Sequence, residues 1–219
     1  MALVLYTFWR SQAAFRVRIA LRLKQLKAEM VFVDLIKGEQ LTDSYRPLNP
    51  AMLLPTLIDG NSLPLIQSLA ILEYLEEQYP EPPLLPSAPR ARAHVRAVAQ
   101  IVAIDAHPFV TPRVRGYLER ELHLDEATRA KWLQHWLDAA TRAVEDLLSS
   151  DKRTGRFCYG DNPTIADICL FAHLTSAKML YGCDLDPYPT VKRIYEVCEQ
   201  EEAFAAAHPL QQPDAVPTA

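Results

Sequence analysis

The chain has 219 residues, 49% of them apolar, with 23 basic against 27 acidic side chains and a net charge of −4. That length holds one large domain or two small ones around a real core. The even charge balance without a Lys/Arg block argues against nucleic acid as a partner, and no apolar run reaches the roughly 18 residues of a membrane span. In chain order, Leu3 to Phe8 is predicted as a short strand, and Ser11 to Leu26 as a helix from the spacing of Ala13, Val17, Ala20 and Leu21. Met30 to Val33 reads as a second strand and Glu39 to Tyr45 as a short helical piece. Asp59-Gly60-Asn61 between Thr56–Ile58 and Leu63–Ile66 marks a hairpin, and a further helix follows Gln67-Ser68. The order βαβαββα fits a thioredoxin-like α/β domain over residues 1–80. Pro80, Pro82, Pro83, Pro86 and Pro89 mark a linker at 81–90.

From 91 to 219 the pattern is helical, which predicts an all-α second domain. Trp132, Trp136, Ala140, Val144 and Leu148 lie on one helix face, and the nearly all-apolar stretch Ile165 to Leu180 is expected at its centre. Thr164 with Asp167 three residues on reads as a capping box, giving Asp167 a structural role in preference to that of a buried acid catalyst. Cys158, Cys169, Cys183 and Cys198 show no CxxC spacing, and the N-terminus carries no secretory pattern, so reduced thiols and a cytoplasmic location are expected. The six histidines form neither HxxxH nor HExxH, which gives a metal site little support.

Two stretches offer chemistry. Pro55 at the entry of a strand suggests a rigid, cis-compatible turn that leaves nearby backbone groups free. Ser68 stands where a helix N-cap belongs, and amides there attract a carboxylate. Together they form a cradle suited to a zwitterionic peptide, against the plainer reading of a hairpin and a capped helix. The second stretch, Phe8-Trp9-Arg10-Ser11-Gln12, lies where a strand's carboxyl end meets a helix, the usual ligand position in open α/β sheets. Ser11 can cap that helix, or its hydroxyl can stabilise a thiolate. With no Cys before residue 158, such a thiol has to come from a ligand.

Phe8-Trp9-Arg10-Ser11, Arg16 to Leu21, Leu48-Asn49-Pro50, Leu54-Pro55, Ile66-Gln67-Ser68 and Glu73 to Glu77 closely resemble the zeta-class cytosolic glutathione transferases, which include maleylacetoacetate and maleylpyruvate isomerases. The likeness continues through Asp105, His107-Pro108, Gly160-Asp161, Thr164 to Asp167, Pro187-Tyr188-Pro189, His208-Pro209 and Gln212-Pro213-Asp214. The resemblance implies a thioredoxin-like domain that binds glutathione, an α-helical glutathione-transferase C-terminal domain, and a homodimer. It implies Ser11 as the hydroxyl on the glutathione thiolate, with Gln12, Leu54, Pro55, Gln67, Ser68 and His107 around glutathione. Arg10, Arg113 and Lys178 are left for the carboxylates of a maleyl-type diacid, with Arg10 also serving catalysis. The implied reaction is thiolate addition to a cis double bond, rotation and elimination. Conjugation or dehalogenation of another small electrophile is the alternative, and a noncatalytic glutathione-binding or interaction protein is a third reading.

The sequence also departs from the class. Ser11-Gln12-Ala13 replaces a common Ser-Ser-Cys, and Met179 stands where the isomerases carry a carboxylate-binding arginine, with Lys178 beside it. Lysine supplies charge without the two-point fork. Ala172-His173 replaces Pro-Gln, and Thr111-Pro112 follows His107 in place of other polar residues.

Overall fold

The computed structural model describes residues 2–216. They form two compact units, one running to Pro83 and taken up again from Glu199, the other Leu84–Cys198. The first holds β1 (Leu3–Thr7), α1 (Gln12–Leu23), β2 (Ala28–Phe32), a 3-10 turn (Glu39–Leu41), β3 (Thr56–Asp59), β4 (Leu65–Ile66) and α2 (Ser68–Gln78). Its sheet runs β2-β1-β3-β4, with β1 parallel to β2 and antiparallel to β3, and β3 antiparallel to β4. Leu3, Leu5 and Thr7 are buried while Val4 and Tyr6 are half-buried, the period-2 pattern of a strand with one covered face.

Two expected elements contract to half their expected length or less. The helical piece at Glu39 to Tyr45 contracts to one 3-10 turn. Asp34 accepts the amides of Ile36 (2.8 Å) and Lys37 (3.2 Å), while Glu39 accepts that of Asp34 (2.7 Å). These side chains offer the backbone an alternative to helical bonding. The strand at Leu63–Ile66 begins only at Leu65, because Pro64 cannot donate to a ladder; Leu63 stands 86% exposed.

α2 is fastened to α1 by a buried ion pair, Lys24 Nζ to Glu76 Oε2 at 3.0 Å, and the same ammonium donates to the carbonyls of Tyr79 (2.7 Å) and Pro82 (2.9 Å). The pair fixes how the two helices lie, and removing one partner of such a pair costs about 3–5 kcal/mol.

The second unit is helical: α3 (Pro89–Ile104), α4 (His107–Val110), α5 (Pro112–Arg120), α6 (Glu126–Ser149), α7 (Ile165–Tyr181) and α8 (Pro189–Gln200). Every residue of α7 from Ile165 to Ala177 is buried, with α3 packed along it, so α7 is the centre of this unit. Its start is a capping box. Asp167 Oδ2 accepts the Thr164 amide (2.8 Å) and hydroxyl (2.7 Å), and Oδ1 accepts the Cys158 amide (2.7 Å). Burial pushes the Asp167 carboxyl above its usual range, and these donors oppose that shift. Among the described residues, all strands lie in the first unit. There the chain from Glu199 supplies α9 (Glu202–Ala207), packed on α1, and a 3-10 turn at Pro209–Gln211.

Candidate functional site

The register of the sheet gathers three loops. Tyr6 pairs with Thr56 and Thr56 with Ile66, so the exit of β1, the entry of β3 and the exit of β4 lie side by side. Phe8 to Ser11, Leu54-Pro55 and Gln67-Ser68 therefore share one end of the sheet. Phe8, Trp9 and Leu54 belong to one buried cluster with Val33 and Tyr45, which holds two of those loops together.

Ser11 is the N-cap of α1, its Oγ accepting the Ala14 amide at 3.2 Å. That bond uses a lone pair of the hydroxyl and leaves its hydrogen to donate. Capping and thiolate stabilisation, read in the sequence as rivals, are compatible in this geometry. Arg10 lies beside it with its guanidinium 5.6 Å from the Trp9 ring centroid, and among the described residues it forms no ion pair. Gln12 is buried, and its amide nitrogen Nε2 has no hydrogen-bond partner among the described residues. A buried donor in that state is costly unless something accepts from it.

At α2 the sequence reading needs correction. The N-cap is Gln67, not Ser68, and Gln67 is exposed with φ 70° and ψ 114°. Ser68 is the first helical residue, and its hydroxyl accepts from Arg16 Nη1 at 3.2 Å in the interior. With that hydroxyl engaged by α1, no side-chain hydrogen bond caps α2 among the described residues, and its first-turn amides have no intrahelical acceptor. A helix N-terminus of this kind favours an anion.

The Leu54-Pro55 bond is cis. The loop before it is pinned through the Leu53 carbonyl, which accepts from Tyr45 Oη (2.9 Å) and Asn49 Nδ2 (2.7 Å). The backbone of Leu54 makes no hydrogen bond among the described residues, so its N–H and C=O are open to an extended peptide.

A contact absent from the sequence reading joins the Phe8 to Ser11 loop to the tail. Arg18, 2% exposed, donates to Thr7 Oγ1 (3.0 Å), Phe8 O (3.2 Å), Trp9 O (3.1 Å) and Ala207 O (3.3 Å). Asp214 Oδ2 accepts the Trp9 amide at 2.9 Å. Burial lowers the Arg18 pKa to about 10, and the charge of Asp214 works against that shift. The helical spacing that located α1 says nothing of Arg16 and Arg18, which donate to residues on other segments of the chain.

The remaining predicted residues stand in the second unit. His107 opens α4 and is half-buried, and Arg113 is exposed on α5. Lys178 is exposed, with its ammonium 4.4 Å from the Tyr195 ring centroid. Sequence reading passed over Arg115, whose guanidinium lies 5.9 Å from the Tyr181 ring centroid and whose Nε is buried without a hydrogen-bond partner. Its one signal was its place two residues beyond Arg113. No cluster of His, Cys, Asp or Glu fit for a metal occurs among the described residues.

The first unit thus offers a hydroxyl hydrogen, an unmatched amide donor, a free strand-like backbone unit and an open helix N-terminus. This donor set fits a small thiol peptide with a carboxylate at its end. Models of the glutathione S-transferase N-terminal and C-terminal domains match residues 5–83 and 109–206. A maleylpyruvate isomerase from Ralstonia sp is 44% identical over 210 residues, 96% of this chain and 98% of that protein. The structure of a maleylacetoacetate isomerase from Methylobacterium extorquens AM1 with bound malonate and glutathione superposes with a TM-score of 0.94 at 45% identity, covering 98% of this chain and 100% of that one. A holo maleylpyruvate isomerase, described as a bacterial zeta-class glutathione S-transferase, gives 0.93 at 43% identity over 97% and 100% of the two chains.

Proposed function

The chain belongs to the glutathione S-transferase family, among its zeta-class maleylpyruvate and maleylacetoacetate isomerases, and we propose that it is a glutathione-dependent cis–trans isomerase of a maleyl-type diacid. The observation that carries this is the Ser11 hydroxyl, which caps α1 through its oxygen and keeps its hydrogen for an anion. When bound, glutathione supplies a thiolate that can both add to an activated cis double bond and leave again, so that rotation takes place in between.

The protein's part is to bind, orient and stabilise. Ser11 donates to the thiolate at the positive end of α1, where a thiol pKa falls below its ordinary value of about 8.5. The backbone of Leu54, next to Pro55, pairs with the cysteinyl unit. The α2 amides with Gln67 and Ser68 hold the γ-glutamyl carboxylate, and the resemblance assigns Gln12 to glutathione as well. Arg10 is free to neutralise a substrate carboxylate and the charge that develops beside it. The resemblance alone assigns His107 to glutathione, and Arg113 and Lys178 to the substrate. The same reading carries a cytoplasmic homodimer; the four cysteines, none of them in a disulfide, agree with a reducing compartment.

The test is to mix the protein with glutathione and either maleylpyruvate or maleylacetoacetate and to follow the ultraviolet change to the fumaryl product. Turnover that needs glutathione without consuming it supports the proposal. Consumption of glutathione with chlorinated acids and no isomerisation would favour the conjugating or dehalogenating reading. That alternative draws on Met179, which leaves α7 without the fork an isomerase uses for a carboxylate. Failure to bind glutathione at millimolar concentration would leave a noncatalytic role.

A further inference from the structure

The motif Gln212-Pro213-Asp214 belongs to neither the sheet nor the glutathione cradle, yet it touches the loop that carries Ser11. Three observations bear on its purpose. Asp214 accepts the Trp9 amide at 2.9 Å, while Arg18 donates to the carbonyls of Phe8 (3.2 Å) and Trp9 (3.1 Å). Both backbone polar groups of Trp9 are thus held by side chains from outside the loop. Next, the tail is itself built to present this carboxylate. Gln212 Nε2 donates to Ala206 O (3.2 Å) and His208 O (2.9 Å), the Ala215 amide returns to Gln212 O (3.0 Å), and Ala215 packs against the Phe8 and Trp9 cluster. Finally, the second oxygen, Asp214 Oδ1, is buried with no hydrogen-bond donor among the described residues. Among the described residues the one hydrogen bond of this carboxylate goes to the residue two positions before Ser11.

We infer that Asp214 is a positioning residue for the reaction, setting the backbone of Trp9, Arg10 and Ser11 so that the Ser11 hydroxyl points at the glutathione thiolate. The inference rests on the function proposed above. Its action is through geometry: the Trp9 amide fixes one end of the Phe8 to Ser11 turn, and the Ser11 amide to Phe8 carbonyl bond at 3.0 Å closes the other. With the amide released the turn can rock, and a hydroxyl displaced by about 1 Å loses on the order of 10²-fold in rate.

The experiment compares Asp214→Ala and Asp214→Asn with the parent protein. Three quantities are measured: amide hydrogen exchange without ligand, the pH titration of the bound glutathione thiolate by its ultraviolet absorbance, and kcat with KM. For Asp214→Ala we expect faster exchange at Trp9 to Ser11 with unchanged exchange in α7. We also expect a raised thiol pKa and a kcat lower by about 10- to 100-fold. Asp214→Asn keeps an acceptor for the Trp9 amide and should restore most of the rate and the parent thiol pKa. Gln212→Ala, which loosens the tail without touching Trp9, stands in should Asp214→Ala fail to fold; exchange should then rise at the tail and at Trp9 together. Unchanged exchange at Trp9 to Ser11, or an unchanged thiol pKa in Asp214→Ala, would overturn the inference. So would a Gln212→Ala protein whose tail exchanges faster while Trp9 does not. If the parent protein turns over no maleyl diacid, the proposed substrate fails, while the exchange and thiol titrations still decide the role of Asp214.

Discussion

Two helix starts in this protein are built on hydroxyl caps and differ in how completely they are closed. At α7, Thr164 and Asp167 satisfy each other, and Asp167 also takes the Cys158 amide, so nothing is left over for a visitor. At the sheet end of the first unit, Ser11 caps α1 with its hydrogen still available, Gln12 keeps an unmatched donor, and α2 has no side-chain cap. A closed cap stabilises a fold; an open one stabilises a ligand. Buried polar groups are satisfied almost everywhere in proteins, so a local cluster of unmatched ones points to function.

The largest effect should come from opening the closed cap. Asp167→Ala leaves the Cys158 amide and the Thr164 amide and hydroxyl without an acceptor, and at about 1–3 kcal/mol for each stranded donor a loss of about 4 kcal/mol is expected in urea unfolding. The fraction that remains folded should bind glutathione with parental affinity in calorimetry; a weakened affinity would erase the contrast between the two helix starts. Ser11→Ala should behave in the opposite sense. Loss of a cap costs about 1 kcal/mol of stability, whereas loss of a donor to a developing anion costs about 10²-fold or more in kcat/KM. A rate that fell no further than the stability would make Ser11 a second Thr164.

Gln67→Gly gives a sharper test because stability and binding should move apart. Relief of a left-handed φ on a non-glycine residue is worth about 1 kcal/mol after the entropy of glycine is counted, so the melting temperature should rise slightly. Glutathione affinity should drop about tenfold, the worth of one hydrogen bond to a charged group. The smallest effect concerns another closed carboxylate, Asp59, which accepts from Tyr74 Oη (2.7 Å) and Tyr79 Oη (2.8 Å). The Tyr74 hydrogen bond to Asp59 raises the Tyr74 pKa from 10.0 to about 12. A raised pKa means that the folded state keeps the proton longer, so the stability from this contact is complete below pH 10 and is lost as pH climbs through about 12. The stability difference between the parent protein and Tyr74→Phe, measured by denaturant unfolding along a pH series, should shrink across that interval and stay level between neutral pH and its onset.

What was legible in the sequence follows the range of the contacts that decide it. The α7 box could be read directly, because Thr164 and Asp167 are three residues apart and act on each other's backbone. The αβ order, the central helix and the Pro55 turn were equally local. Ser68 was misread as a cap because its hydroxyl is claimed by Arg16, 52 positions earlier in the chain, and no local rule reports that competition. Arg18 and Asp214 lay inside the motifs of the resemblance but drew no role there for the same reason, their partners lying up to 189 and 205 positions away. Gln12 and Leu54 entered the sequence reading through family resemblance, and the structure adds their unmatched polar groups, a property of the fold that no residue pattern displays.

The reach of Arg18 from the β1 exit to Ala207 also sets an order of events during synthesis. Strand β1 and helix α1 are made before the helical unit, whereas the carbonyl of Ala207 and the carboxylate of Asp214 come only after it. Until then the guanidinium lacks one acceptor and the Trp9 amide lacks its carboxylate partner. The nascent first unit can therefore assemble its sheet early, while the loop that bears Ser11 reaches its final shape only once the tail has joined it.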